Sequence, residues 1–206
     1  MKSLLTKSNN IPTYIVPGDN EWNDQINHKE CWSYWSKHLL ALDSEFKQSW
    51  TTSRQKTRPE NFGFTHKGIL FIGLNLPGGK VHNTDEWSLR HNQNILWVKE
   101  LLDLYNSEIR GAVLFFHAAL SKKHASFTTQ VVPILKSFQK PVLIVHADLH
   151  KWIYQEAFMA PNITRIQTDK IGPNVPPVQI SVMSTGEKIF KYNRRLSPSE
   201  GFRVAD

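Results

Sequence analysis

Three short apolar runs, far apart in the chain, each end abruptly in residues of metal-ligand type. IPTYIVPGDNEW ends at Asp19 and Asn20, AVLFFHA ends at His117, and PVLIVHADLH ends at His146, Asp148 and His150. In a sheet with parallel strands, ligands gather outside the carboxyl ends, so strand-end Asp, Asn and His residues distant in sequence converge on one crevice. The pattern around these runs supports such a sheet. Strands are expected at 13–16, 69–74, 112–116 and 142–145, and segments of helical period lie between them at 31–49, 86–105 and 126–138. Leu89, Ile95, Leu102 and Tyr105 form the apolar stripe of the second helix, with Asp85 as its N-cap. Alternation of short strands with longer helices is the signature of an α/β layer fold.

The character changes after His150. TRIQTD, PVQISVM and EKIFKY are short runs with partial period-2 alternation, separated by Gly, Pro and Asn clusters, and predict an antiparallel strand group. No internal repeat or domain boundary interrupts the 206 residues, which suffice for one domain with its own core. A loose tail is expected over 196–206. Cys31 is the sole cysteine, which excludes an internal disulfide and a thiolate metal site. The first residues lack the apolar stretch of a secretory signal, and no run approaches the ~18 apolar residues of a membrane-spanning helix. The formal charge of +7 favours anionic partners without choosing among them. Its basic groups are scattered, as at Arg54, Lys56 and Arg58, at Lys122 and Lys123, and at Lys191, Arg194 and Arg195. Scattered groups of this kind also describe an ordinary solvated surface.

Each strand-end residue has a plainer reading. PGDN is a strong turn sequence, because Gly and Asn tolerate positive φ and Asp bonds its own turn. His117 also fits a satisfied core imidazole. His146 and His150 have a spacing that shares one side of a helix, yet they follow a strand. Taken together, the oxygen and imidazole donors suit Zn, Mn or Fe. Trp22 and Asn75 are candidates for shaping the crevice, with a core or turn role for each as the alternative.

In order and spacing these motifs resemble the calcineurin-like metallophosphoesterases. GDNEW resembles a variant of that family's GNHE motif: Asp19 stands at the metal-ligand Asn and Asn20 at the His that assists the leaving group. An amide cannot act as a general acid at neutral pH, so the substitution at Asn20 weakens catalysis at that step. His117 matches the isolated ligand His after the next core strand. VLIVHADLH resembles the GHxH motif, with His150 at the second His, Asp148 replacing the first, and His146 as a substitute or supporting ligand.

The resemblance covers about residues 12–192 and implies a partial calcineurin-like fold, layered β-sheets flanked by helices. It implies a divalent metal held by Asp19, His117, His150 and either Asp148 or His146. The activity implied is hydrolysis of a phosphate ester by a metal-activated hydroxide. The substrate class within phosphate esters stays open. The family's upstream DxH and GDxxD motifs have no counterpart here, and Asp24, Asp43 and Asp85 match neither. Relative to that family the chain therefore reads as N-terminally incomplete. Loss of core strands would expose apolar surface, to be covered by rearrangement, by self-association or by another polypeptide. Two other functions stand beside hydrolysis: a non-catalytic binding module on the same fold, and, with the least support, a nucleic-acid-binding domain using the basic groups.

Overall fold

The computed structural model describes residues 11–184 and 188–196. The expected tail lies outside the described residues apart from Leu196. In chain order the elements begin with a single π-helical turn (Asp19–Asn23), helix α1 (His28–Leu39) and a 3-10 turn (Leu42–Glu45). Strands β1 (Ser53–Gln55), β2 (Arg58–His66) and β3 (Ile69–Gly73) lead into helix α2 (Thr84–Tyr105). Then come β4 (Gly111–Phe115), α3 (Ala125–Ser137), β5 (Val142–His146), β6 (Ile153–Gln155), β7 (Ile163–Gln167), β8 (Gln179–Val182) and β9 (Phe190–Asn193).

Seven strands form one mixed sheet in the order β1-β2-β3-β4-β5-β7-β6. Its centre, β3-β4-β5-β7, is parallel, and the antiparallel strands β2 and β6 adjoin it on either side. The central strands are apolar almost throughout because both faces are covered. Leu70, Ile72, Ala112, Leu114, Val142 and Ile144 pack against Val98 and Leu101 of α2 and Phe127, Val131 and Leu135 of α3. Ile69, Val113 and Leu143, one residue out of phase, face the opposite side with Phe71, Phe115 and Val145. There they meet Ile180 and Val182 of β8 and Phe190 and Tyr192 of β9. The fold is thus a mixed α/β structure: helices, a seven-stranded sheet and a two-stranded hairpin in three layers. Among the described residues no helix is long and apolar enough to cross a membrane.

Several expectations need correction. Residues 13–16 have no regular secondary structure and lie outside the sheet. Pro12 and Pro17 flank the segment, and proline supplies no N–H to a ladder. Tyr14 instead packs its ring on Phe62 and Phe64 of β2, at 4.8 and 4.5 Å between centroids. Its hydroxyl meets Trp50 Nε1 at 2.9 Å and Thr52 Oγ1 at 2.7 Å. The expected helix over 31–49 is α1 shifted toward the N-terminus, and left-handed Ala41 (φ 55°) separates it from the 3-10 turn. The N-cap of α2 is Asn83, whose Oδ1 accepts from the amides of Asp85 and Glu86 at 3.0 Å. Leu89 of the expected stripe is exposed, and the core face of α2 carries Trp87, Ile95, Val98, Leu101 and Leu102. In the C-terminal group β8 and β9 pair antiparallel as expected, but β7 joins the main sheet parallel to β5.

Candidate metal centre

The loops at the carboxyl ends of β3, β4 and β5 are tied to one another. The Ala118 amide donates to the Leu76 carbonyl at 2.9 Å, and the Ala147 amide donates to the His117 carbonyl at 3.1 Å. Parallel pairing is thereby extended beyond the strands, and His117 and Asp148 come out on one side of the loop cluster.

Asp19 reaches the same place by a different route. Its π-helical turn is pinned to the loop after β3, where Asn23 Nδ2 donates to the carbonyls of Gly78 (3.3 Å) and Lys80 (2.9 Å). Asp24 Oδ1 accepts from the Lys80 amide at 2.7 Å. The loop follows so closely that a side chain at Gly78 would lie 2.5 Å from Asp148 Oδ2, and one at Gly79 would collide with the Asp24 carboxylate. Gly79 also has φ +71°, a conformation that favours glycine.

The result is a group of three. Ligand atoms of Asp19, His117 and Asp148 all lie within 4.8 Å of one another. Asp19 is 8% exposed, and its Oδ1 has no hydrogen-bond partner although His117 Nε2 is 3.0 Å away. Buried carboxylate oxygens are normally hydrogen-bonded, so this pair is close without being aligned as donor and acceptor. For metal–ligand bonds of roughly 2.0–2.2 Å, two ligands at right-angle or tetrahedral positions lie about 2.9–3.6 Å apart. The 3.0 Å separation fits that range. Asp148 adopts φ +79°, and its Oδ2 accepts from the Ala119 amide at 3.0 Å. That bond orients the carboxylate as outer-shell donors orient metal ligands. The donor set therefore fits a divalent cation.

The other expected ligands stand apart. His146 continues the helix-side row of Val142 and Ile144, is 2% exposed and stacks on Phe116 at 5.8 Å. Its Nε2 accepts from Arg165 Nε at 2.8 Å, and its Nδ1 lies 3.2 Å from the Ala147 carbonyl. Both nitrogens are engaged, and His146 stands outside the group of three. Burial, reinforced by the Arg165 charge, holds its pKa down to about 4. His150 is exposed with φ +55° and lies outside the group of three. Asn20 is exposed beside Asp19, and its carbonyl accepts from the Gln25 side chain. Trp22 and Asn75 are both buried and line a crevice along α1.

A second imidazole cluster has no signal in the sequence. His91 Nε2 lies 3.1 Å from His124 Nδ1, and His91 Nδ1 lies 2.6 Å from Ser126 Oγ. Trp87 stacks on His124 at 5.2 Å. Burial, with Arg90 next in effect, lowers His91 to about 4. Burial, with His91 and then Arg90 behind it, lowers His124 to about 3. Both imidazoles are neutral at pH 7. Nothing short of the fold brings together residues 33 positions apart.

No protein-family model matches the chain, and no curated protein or solved structure matches it.

Proposed function

We propose that this protein is a divalent-metal-dependent phosphoesterase of the calcineurin-like type, with Asp19, His117 and Asp148 as its metal ligands. The observation that carries this reading is the convergence of two carboxylates and an imidazole from three separate segments, with the buried Asp19 oxygen 3.0 Å from His117 Nε2. Support for phosphoester chemistry comes from the order of GDNEW, FFHA and HADLH, which resembles that family, and from the strand-end placement of the last two. The parallel β3-β4-β5-β7 centre, with the His117 and Asp148 loops at the carboxyl ends of β4 and β5, is compatible with that reading. A bound Mn, Zn or Fe ion would supply charge to polarise a phosphoryl group and activate water. The chain's own contribution is positioning: Asn23 fixes the turn that carries Asp19, and the Ala119 amide fixes Asp148.

A non-catalytic binding module is the second reading, favoured by one observation. Asn20 is an exposed amide where this chemistry asks for a proton donor, so the first coordination set is not matched by an acid.

Elemental analysis after expression with Mn and Zn, followed by extensive dialysis, tests the site. About one metal per chain is expected, lost in His117→Ala and in Asp19→Ala. No retained metal in the wild type would overturn the reading. Hydrolysis of p-nitrophenyl phosphate by the loaded protein, abolished by the same substitutions, separates the phosphoesterase from the metal-binding module.

A further inference from the structure

A crevice lies between α1 and the start of α2, and its lining residues are outside the metal group. Its volume is about 360 Å³, and its lining includes Trp22, Trp32, His28, His82, Asn75 and Lys29. The size falls in the range of small-ligand pockets. Four flat rings contribute. Trp22 and Trp32 lie 4.8 Å apart at 55°, and His28 and His82 lie 4.2 Å apart at 34°. Both indoles are braced by neighbouring groups. Trp32 stacks on Trp35 at 5.1 Å and 4°, and the Arg90 guanidinium sits 5.2 Å from the Trp22 ring. Glu86 in turn holds Arg90 through an ion pair of 2.6 Å. The rings are therefore pre-organised without a ligand.

Three buried polar atoms on residues of this lining have no partner: Trp22 Nε1, Asn75 Oδ1 and His82 Nδ1. Trp22 is 5% exposed and Asn75 is fully buried, and native structures rarely leave such groups unpaired. The chemistry of the first two is fixed, whereas His82 Nδ1 donates or accepts according to its tautomer. Indole Nε1 can only donate. Asn75 spends its Nδ2 on Glu60 Oε1 at 2.7 Å; a carboxylate only accepts, so the free atom of the amide is its oxygen acceptor. Arg58, also in the lining, is committed to Glu86 at 3.1 Å and Glu60 at 3.5 Å, so its charge is already compensated. An exposed ammonium, Lys29, remains at the rim.

Flat walls, one free donor, one free acceptor and a compensated interior select a planar, uncharged heteroaromatic ring whose edge both accepts and donates. A cation at the rim selects an anionic substituent on it. We propose that the crevice binds a nucleoside monophosphate, with the nucleobase among the indoles and imidazoles and the phosphate toward Lys29. None of these residues belongs to the metal group, so the proposal is independent of the hydrolase reading.

Isothermal titration of the full chain without added metal, using AMP, GMP, CMP, UMP and ribose 5-phosphate, tests it. At least one nucleotide should bind with Kd below about 1 mM while ribose 5-phosphate does not. Trp22→Phe, which keeps a ring but deletes the N–H, should weaken binding about 10-fold, as should Asn75→Leu. Circular dichroism of each variant establishes that it is folded, and Trp22→Phe serves if Asn75→Leu is not. No binding by any of the four nucleotides, or unchanged affinity in a folded Trp22→Phe protein, would overturn the proposal. Tighter binding of a ten-residue single-stranded RNA than of every mononucleotide would overturn the assignment to a free nucleotide.

Discussion

Acidification from pH 7 to pH 5 should destabilise the fold through the His91–His124 pair. Both imidazoles are at most 3% exposed, and they face each other, Ser126, Trp87 and Arg90, with Lys123, Glu86 and Arg58 contributing charge. Their folded-state pKa values are held at about 4 and about 3, whereas an unfolded histidine titrates near 6.5. Above that value neither state binds the proton. Between it and the folded values the unfolded chain binds protons that the native state refuses, so stability falls as pH falls. At pH 5 the penalty is roughly 2 kcal/mol for each imidazole, hence roughly 4 kcal/mol for the pair. That is a large share of the 5–15 kcal/mol typical of a domain. Urea unfolding followed by tryptophan fluorescence at both pH values measures the loss. His124→Phe deletes one of the two groups and should reduce the pH-dependent loss by about 2 kcal/mol. Equal losses in the wild type and a folded variant would refute the reasoning. So would a direct observation by NMR of either imidazole titrating between pH 6 and 7 in the native protein.

Two further substitutions probe the packing around the sites. Glu86→Ala leaves Arg90, whose side chain is 1% exposed, without its carboxylate between Trp22 and Trp87. A loss of about 3 kcal/mol in urea unfolding is expected, at the low end for a broken buried pair because Glu86 is 30% exposed. Gly78→Ala places a methyl group 2.5 Å from Asp148 Oδ2 and must displace that carboxylate. Metal affinity measured by competition with a chelator should fall roughly 10-fold or more although no ligand has been removed, the size of effect seen when a ligand's supporting contacts are lost.

The parallel centre of the sheet is legible because its strands are continuous apolar runs covered on both faces, and the helices between them follow from that alternation. The edges are less so. β2 reads RPENFGFTH, in which Pro59, Asn61 and Gly63 are poor strand formers, yet it pairs with both β1 and β3. Gly63 has a tertiary reason: a Cβ there would collide with Leu101 of α2. Asn61 has another, since it donates to Gln55 and Asn94 at 2.7 Å and accepts from the Asn75 amide at 2.6 Å. Local propensity sees neither contact. Conversely, TYIV has strand composition at 13–16, but its tyrosine ring and hydroxyl are used by side-chain contacts that a ladder does not require. Propensity is overridden in both directions by what lies across the sheet.

The same logic separates the three residues that meet from the two that do not. His117 and Asp148 lie beyond β4 and β5, where the chain has left the sheet and side chains are no longer committed to a face. His146 is still within β5, so parity with Val142 and Ile144 sends its ring into the helix-side core, where Arg165 occupies it. A shift of two residues along HADLH thus changes a histidine buried beside the core into a carboxylate at the rim. His150 is two residues further on and exposed. Asp19 shows the limit of reasoning from strand ends. Its preceding run is not a strand, and its position depends on Asn23 bridging 55 residues to the Gly78 carbonyl. Residue type and order were enough to single out Asp19, His117 and Asp148 as candidates together with His146 and His150; that the first three converge while the other two stand apart depends on strand parity and on a turn docked from outside the sheet.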